Sequence, residues 1–567
     1  MWYAVPQFCG AVLHWYHKHM RVGLLQLNPT IGDIDGNTHR LIDGANGCNA
    51  DLLITPELVI SGYPPRDILL CSGFVEACEA AVETIAKTVS KTILVGHPRI
   101  EQSTGRFRNS ISVIEHGEIV AVIDKHLLPG YDIFDEDRYF EQGTISGVVD
   151  LNFGRIGIAI CEDFWRGFDA NAAPTYDENP IATLAAEHCK LIISPSASPF
   201  VAKKRKLHLE HAKNVATENN CSVVMVNQVG GNDDLVFDGG SFVMSPKGLI
   251  YESPLFEEST DVVDLENATL LSMPEKNIDE ARFQALVLGV RDYCIKTGHK
   301  NVLLGLSGGI DSALVATIAV AALDADAVTG VLMPSRYSSL GSVEDAETLA
   351  QNLGIKTKTL PIEHMHRAFE RIHADANTHI EGLTEENAQA RIRGMLLMSL
   401  ANQNNALLLA TGNKSELAVG YTTLYGDMCG ALSVIGDLYK TEVWEMSRWI
   451  NQSNQFNVSP IPENSITKPP SAELRPDQLD EDSLPSYEEL DAILRPHIDS
   501  DQGADDIEES TSFSRELIDS VLAMVDRSQF KRDQASVILK IAPRTFGRGR
   551  PMPIVMKRAW SNARQLS

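Results

Sequence analysis

The sequence predicts an α/β protein with two successive domains: an αββα sandwich, then a doubly wound parallel sheet. Three observations carry this. The chain has 567 residues, more than one ordinary hydrophobic core organises. From Met20 to about Leu265, short apolar runs alternate with helical stretches. From Ala281 onward, strand-like and helix-like runs alternate as in βαβ units, whose ligands sit at the C-terminal ends of parallel strands.

Composition narrows the function. At 44% hydrophobic and 22% charged residues, the chain has the make-up of a soluble globular protein. The formal net charge of −27 argues against nucleic acid or an anionic membrane surface as the main partner. No apolar run approaches the ~18 residues of a membrane span. The nine cysteines are scattered without a C-x-x-C pair. That spacing fits a reducing, cytoplasmic setting and spells out no zinc site. Residues 1–19 hold Trp2, Trp15 and three histidines without periodicity, and read as a poorly ordered extension. Met20 then opens the first strand and is an alternative start.

In the first domain (20–265) the strand-like runs include Leu52–Thr55, Thr92–Gly96, Ile111–Glu115, Ile156–Ile160, Leu191–Pro195 and Ser222–Val226. Three polar residues stand where such runs end: Glu57, Lys125 and Cys161. Strand ends rim a sheet, so these three can converge. A cysteine beside a cation gains nucleophilic character. A carboxylate can move its proton, and a lysine can hold an oxyanion.

Residues 266–280 hold Asn, Ser, Pro and Lys without a sustained apolar period, and read as a linker. The second domain (281–567) opens with a helix over Ala281–Thr297. Its centre is Val302-Leu303-Leu304-Gly305-Leu306-Ser307-Gly308-Gly309-Ile310-Asp311-Ser312, followed by a helix-like run to Leu323. A strand feeding a glycine turn and a helix N-terminus is a phosphate cradle. It lacks the lysine of a Walker loop. Ala327–Met333, Val343–Leu353 and Ile355–Leu360 continue the alternation, and a long helix covers Thr384–Asn402. Ala406–Ala410 ends in a second polar turn, Thr411-Gly412-Asn413-Lys414-Ser415-Glu416. Residues 467–474 are proline-rich enough for a mobile loop. Between Glu473 and Glu509, fourteen acidic residues face only Arg475 and Arg495, so a solvated, partly disordered surface is expected there.

Pro56-Glu57, Asp124-Lys125-His126-Leu127-Leu128-Pro129 and Gly157-Ile158-Ala159-Ile160-Cys161-Glu162-Asp163 resemble the Glu-Lys-Cys set of the nitrilase (carbon–nitrogen hydrolase) superfamily. The resemblance implies catalytic roles for Glu57, Lys125 and Cys161. It also implies glutamine contacts at Tyr131, Ser198 and Lys204, with Lys203, Arg205 and Lys206 as alternatives to Lys204. The superfamily's accessory glutamate falls on Glu136 or Glu141.

Ser-Gly-Gly-x-Asp-Ser resembles the pyrophosphate loop of the N-type ATP pyrophosphatases, an adenine-nucleotide α-hydrolase-like (Rossmann-like) fold. With Glu386-Asn387, Arg391-Ile392-Arg393-Gly394, Thr411–Glu416, Tyr421–Asp427, Lys468 and Phe530-Lys531-Arg532, it resembles the NAD synthetase family, in the branch fused to a glutaminase half. One departure is Asp533-Gln534-Ala535-Ser536, where that family commonly carries a more basic or proline-rich run. The resemblance implies ATP contacts at Gly305, Leu306, Ser307, Gly308, Gly309, Ile310, Asp311, Ser312 and Thr411. It implies deamido-NAD contacts at Asn387, Glu416 and Lys531, a phosphate-covering role for Lys468, and Mg²⁺ held by Asp311 and Glu416. The implied substrates are glutamine, ATP and deamido-NAD, and a homo-oligomer is expected. Two alternatives stand beside this reading: another amidotransferase of the same ATP family, and a non-catalytic binding protein on both folds.

Overall fold

The computed structural model describes residues 20–144, 147–167, 176–273, 277–378, 380–453 and 455–556. The expected extension, residues 1–19, lies outside them.

The N-terminal half is built on two six-stranded sheets. One runs, in spatial order, Ser259–Asp264, Arg21–Gln26, Leu52–Ile54, Thr92–Ile100, Phe107–Glu115, Glu118–Asp124. The other runs Gly248–Glu252, Phe242–Ser245, Ser222–Asn227, Leu191–Ser196, Gly154–Ile158, Val148–Leu151. Side chains alternate across each strand. Leu52 and Ile54 join the core shared with the second sheet, which includes Ile156, Val224 and Val243. Leu25 and Leu53 face the other way, against Leu41 of the helix Ile34–Gly47 and Val82 and Ile85 of the helix Phe74–Thr88. Helix Lys204–Asn219 packs on the second sheet. The result is the αββα sandwich expected from the sequence.

The C-terminal sheet is parallel throughout. Its spatial order is Lys356–Thr359, Val328–Leu332, Val302–Gly305, Leu407–Ala410, Leu432–Ser433, Val537–Ile538. The chain starts at Val302–Gly305, winds outward to Lys356–Thr359, then resumes on the other side at Leu407–Ala410. The switch point therefore lies between Val302–Gly305 and Leu407–Ala410, where connections diverge and leave a crevice. The two polar turns picked out in the sequence both open there.

The acidic stretch is not the loose surface its charge suggests. It contains the helices Tyr487–Asp499 and Ala504–Ser510. Leu490, Ile493, Leu494, Ile498 and Ile507 are buried in one cluster with Ile518 and Val521. Its acids lie largely on the opposite face, while Asp480, Asp491 and Asp499 are themselves buried. The helical repeat of apolar residues outweighs the charge count.

The halves share a core. Helix Ile278–Lys296, which begins earlier than the expected Ala281 and is capped by Asn277, packs on the strands Val229–Asn232 and Leu235–Asp238. Asp292 accepts from Asn28 Nδ2 and the Gly231 backbone N–H, both at 2.7 Å. Lys296 Nζ donates to Asn28 Oδ1 at 2.6 Å and Asn232 Oδ1 at 2.8 Å. Among the described residues, no helix is long and apolar enough to cross a membrane.

Candidate active sites

Glu57, Lys125 and Cys161 leave three different strands and meet at the end of the sandwich. Lys125 Nζ donates to Glu57 Oε1 at 2.7 Å and Glu136 Oε1 at 2.8 Å. Asn109 Nδ2 donates to Glu57 Oε1 at 2.7 Å, and Tyr63 Oη donates to Glu136 Oε1 at 2.8 Å. Glu57 Oε2 accepts the Ala197 N–H at 3.1 Å. Glu57, Lys125 and Cys161 are all buried. Two carboxylates around one ammonium keep Lys125 well above its ordinary pKa despite burial, which acts the other way. Burial first, then the Glu57 charge, push the Cys161 thiol well up, against the pull of Lys125. The resting thiol is therefore protonated and needs a base. Burial and Glu57 push Glu136 up to about 7, against Lys125.

Cys161 sits at φ +45°, ψ −98°, a conformation unusual for a side-chain-bearing residue, where strand gives way to the short helix Glu162–Trp165. Asp163 anchors this elbow. Its carboxylate accepts the N–H groups of Ile160, His126 and Leu127. One side chain thus ties the cysteine elbow to the turn that carries Lys125.

The residues expected to contact glutamine have partners in this half of the molecule. Lys204 Nζ donates to Ser198 Oγ at 2.9 Å. Arg205 is engaged with Glu252, and Lys206 approaches Glu210 at 4.0 Å, so Lys204 is the basic residue that meets Ser198. Tyr131 Oη donates to Glu162 Oε2 at 3.0 Å, next to the cysteine. The two candidates for the accessory glutamate sit in different surroundings. Glu136 is buried against Lys125, whereas Glu141 pairs with Arg108 toward solvent.

The second site is a cavity of about 340 Å³ at the switch point of the parallel sheet. Gly305, Leu306, Ser307, Gly309, Ile310, Asp311, Ser312 and Thr411 line it. Gly308 holds φ +80°, and a Cβ there would lie 2.1 Å from the Ser342 carbonyl oxygen, so the turn requires glycine. Ser307 and Ser312 hydroxyls bond each other at 3.1 Å, closing the loop over the start of helix Ile310–Leu323. Asp311 Oδ1 accepts from Asn413 Nδ2 at 2.9 Å, and Oδ2 accepts from Lys440 Nζ at 2.5 Å. Lys440 Nζ also lies 3.6 Å from Glu416 Oε1. Burial and the Asp311 charge push Glu416 up to about 8. With Asp480 adding further negative potential, this oxygen-rich set is under-compensated by one lysine and fits a hard divalent cation.

Lys468 lines the cavity, tied to Asp345 Oδ2 at 3.0 Å and Ser342 Oγ at 3.1 Å. The segment expected to be a mobile loop is seated: Glu473 accepts from Ser339 and Ser342, and the Leu474 carbonyl accepts from Gln389 Nε2 at 2.9 Å. Asn387 and Lys531 meet at the Gly420–Thr423 turn beside the cavity. Asn387 Oδ1 accepts from Thr423 Oγ1, and Lys531 Nζ donates to the Gly420 and Thr422 carbonyls. The Glu416 backbone carbonyl accepts the Tyr421 N–H of the same turn at 3.0 Å, while its carboxylate joins the Asp311–Lys440 cluster. Sequence reasoning passed over Tyr63, Asn109 and Lys440. Their signal is spatial: each sits far along the chain from the group it orders.

A buried cysteine elbow with a lysine and two glutamates, fused through a shared core to a nucleotide-type crevice, defines a two-site amidotransferase. The carbon-nitrogen hydrolase family matches residues 21–274, and the NAD synthase family matches residues 282–535. A glutamine-dependent NAD(+) synthetase of Synechocystis sp. is 44% identical over 555 residues, covering 94% of this chain and 98% of that protein. The enzyme of the same description from Thermotoga maritima is 39% identical, covering 95% and 98%. The structure of glutamine-dependent NAD+ synthetase from Acinetobacter baumannii in complex with ADP superposes with a TM-score of 0.75 at 36% identity, covering 94% and 98%. The chain belongs to the glutamine-dependent NAD(+) synthetase family.

Proposed function

We propose that the two sites divide one reaction: ATP-dependent amidation of deamido-NAD to NAD, with glutamine as nitrogen donor. The observation that carries this is the pairing of a complete Cys161–Lys125–Glu57 set with the Asp311 crevice in one chain. In the first half, Cys161 Sγ attacks the side-chain amide carbon of glutamine. Glu57 takes the thiol proton and passes it to the departing nitrogen, which leaves as ammonia. Lys125 holds the oxyanion, and water then hydrolyses the thioester to release glutamate. Glu136, with Tyr63 and Asn109, fixes Lys125 and Glu57 in position. Lys204 fits the α-carboxylate of glutamine.

In the second half, the carboxylate of deamido-NAD attacks the α-phosphate of ATP and pyrophosphate leaves. Ammonia then displaces AMP from the acyl-adenylate. The Ser307–Ser312 turn and Thr411 bind ATP, Lys468 covers the phosphates, and Asn387, Lys531 and Glu416 hold deamido-NAD. Asp311 and Glu416 are the groups for Mg²⁺, which supplies charge neutralisation on the phosphates when bound. Ammonia passes through protein between the sites, since near neutral pH released ammonia is almost wholly protonated. All eight described cysteines are free thiols, which supports a cytoplasmic setting. A homo-oligomer completes the reading.

The test is product identification. Purified protein with ATP, Mg²⁺, glutamine and deamido-NAD is expected to yield NAD, AMP, pyrophosphate and glutamate by mass spectrometry. Amidation of another acceptor with no turnover of deamido-NAD would overturn the assignment.

A further inference from the structure

His366 belongs to neither site. It lies on the helix Glu363–Asp375, wholly buried. Neither ring nitrogen has a hydrogen-bond partner among the described residues. A buried polar ring without a partner is uncommon and calls for an explanation. Its Nε2 lies 3.9 Å from Glu370 Oε1 and 3.8 Å from Glu385 Oε1. Both distances are too long for hydrogen bonds. The three donor atoms all lie within 4.8 Å of one another. Donors about 2.0–2.2 Å from a common ion are separated by about 3–4 Å, so a small inward adjustment closes the set.

The local structure builds this arrangement. His366 and Glu370 are four residues apart on one helix and share a face. Glu385 comes from the first turn of the next helix, Leu383–Asn404. Each carboxylate is already oriented by a neighbour, as metal-ligating carboxylates usually are. Arg336 donates to Glu370 Oε1 at 3.0 Å and Oε2 at 3.2 Å, and Tyr337 Oη donates to Glu385 Oε1 at 3.1 Å. Arg336 pairs with Glu363 and Glu370, and Arg367 with Glu363, so these two guanidinium groups stand against three carboxylates once Glu385 is added. The cluster keeps a negative balance that a cation offsets.

We propose that His366, Glu370 and Glu385 bind a first-row divalent metal ion of the zinc type, with water completing its coordination. The imidazole nitrogen selects such an ion over Mg²⁺, which prefers oxygen. The site is thereby chemically distinct from the all-oxygen group at Asp311. Its place in the fold gives it a structural role. The ion joins the helix Glu363–Asp375 to the helix whose Ala390, Arg393 and Gly394 line the nucleotide cavity. Arg336 and Tyr337 sit between Pro334 and Ser338, which line the same cavity. The metal clasps this wall.

The test uses the full chain, stripped with a chelator and kept in excess Mg²⁺ so that oxygen-only sites are filled. Zn²⁺ binding is measured by equilibrium dialysis, and Co²⁺ is added as a spectroscopic probe. Wild type is expected to bind one more equivalent of Zn²⁺ than His366→Gln, and to show Co²⁺ visible bands that the variant lacks. Glu385→Gln is expected to weaken the same equivalent at least about tenfold. Equal binding by wild type and His366→Gln would overturn the site. Should the variants fold poorly, anomalous density from zinc-soaked wild-type crystals decides. A peak among His366, Glu370 and Glu385 supports the proposal; zinc only at Cys161 or beside Asp311 sinks it.

Discussion

Lys540 Nζ lies 3.1 Å from Asp132 Oδ2, across the junction of the two halves. Asp132 follows Tyr131 in the amide site. Lys540 leads into the Ile541 and Ala542 N–H groups, both held by Asp437 Oδ2. Asp437 Oδ1 in turn lies 3.0 Å from Lys414 Nζ, next to the Asn413 that holds Asp311. Packed polar contacts therefore run from one site to the other.

Breaking that contact is expected to uncouple the sites more than to silence them. Lys540→Met removes the nearest cation from Asp132, leaving only the more remote Arg544. The cost should fall below the ~3–5 kcal/mol of a fully buried pair, because Asp132 keeps some solvent contact. Ammonia-dependent NAD formation should persist, while NAD formed per glutamine hydrolysed falls. An unchanged ratio, measured as glutamate against NAD, would show that the contact does not link the sites.

Cys161→Ala and Asp311→Asn separate the half-reactions. The first removes the sulfur and little volume. It should make no NAD from glutamine, yet still make NAD from high ammonium at mildly alkaline pH. The second should fail with either donor, because it removes a charge from the nucleotide site while keeping size. Loss of ammonia-dependent activity in folded Cys161→Ala would refute the division of labour.

Glu136 gives a pH signature. Its folded pKa of about 7 stands above its unfolded value near 4.5, so the folded state keeps a proton that the unfolded chain releases. That stabilisation is fully present below about pH 4.5 and is lost as pH rises through about 7. Glu136→Gln cannot titrate. The Tm of wild type minus that of the variant should therefore fall between about pH 5 and 7, by roughly 2 °C or more. A constant difference would place the titration elsewhere.

The acidic segment is expected to behave as core. Ile493→Ala removes a fully buried side chain and should cost about 2–5 kcal/mol. Its urea midpoint should drop well below that of an exposed control such as Glu488→Ala. Equal midpoints would return the segment to a solvated surface.

What the sequence determined was local. Strand-to-turn transitions placed Glu57, Lys125 and Cys161 at sheet ends, because short apolar runs and the polar residue that follows them are adjacent in the chain. The Ser307–Ser312 turn was legible for the same reason: strand, glycines and helix start are consecutive in the chain, whereas the Ser342 carbonyl that excludes a side chain at Gly308 comes from the fold. The two sheets followed from alternation of runs. Tertiary structure decided the rest. Glu136 and Glu141 are five positions apart and equally plausible by spacing, and only the sheet geometry sends one to Lys125 and the other to Arg108. Lys440 reaches Asp311 across 129 residues of chain. Tyr63 and Asn109 come from separate segments to order one lysine and two glutamates. In Glu473–Glu509 the charge count hid the apolar face of the helix that carries Leu490, Ile493 and Leu494, since composition is blind to which side a residue faces. Apolar periodicity and turn chemistry act between neighbours and can be read along a chain. Burial, electrostatic partnership and the pKa values they set depend on what the fold brings alongside.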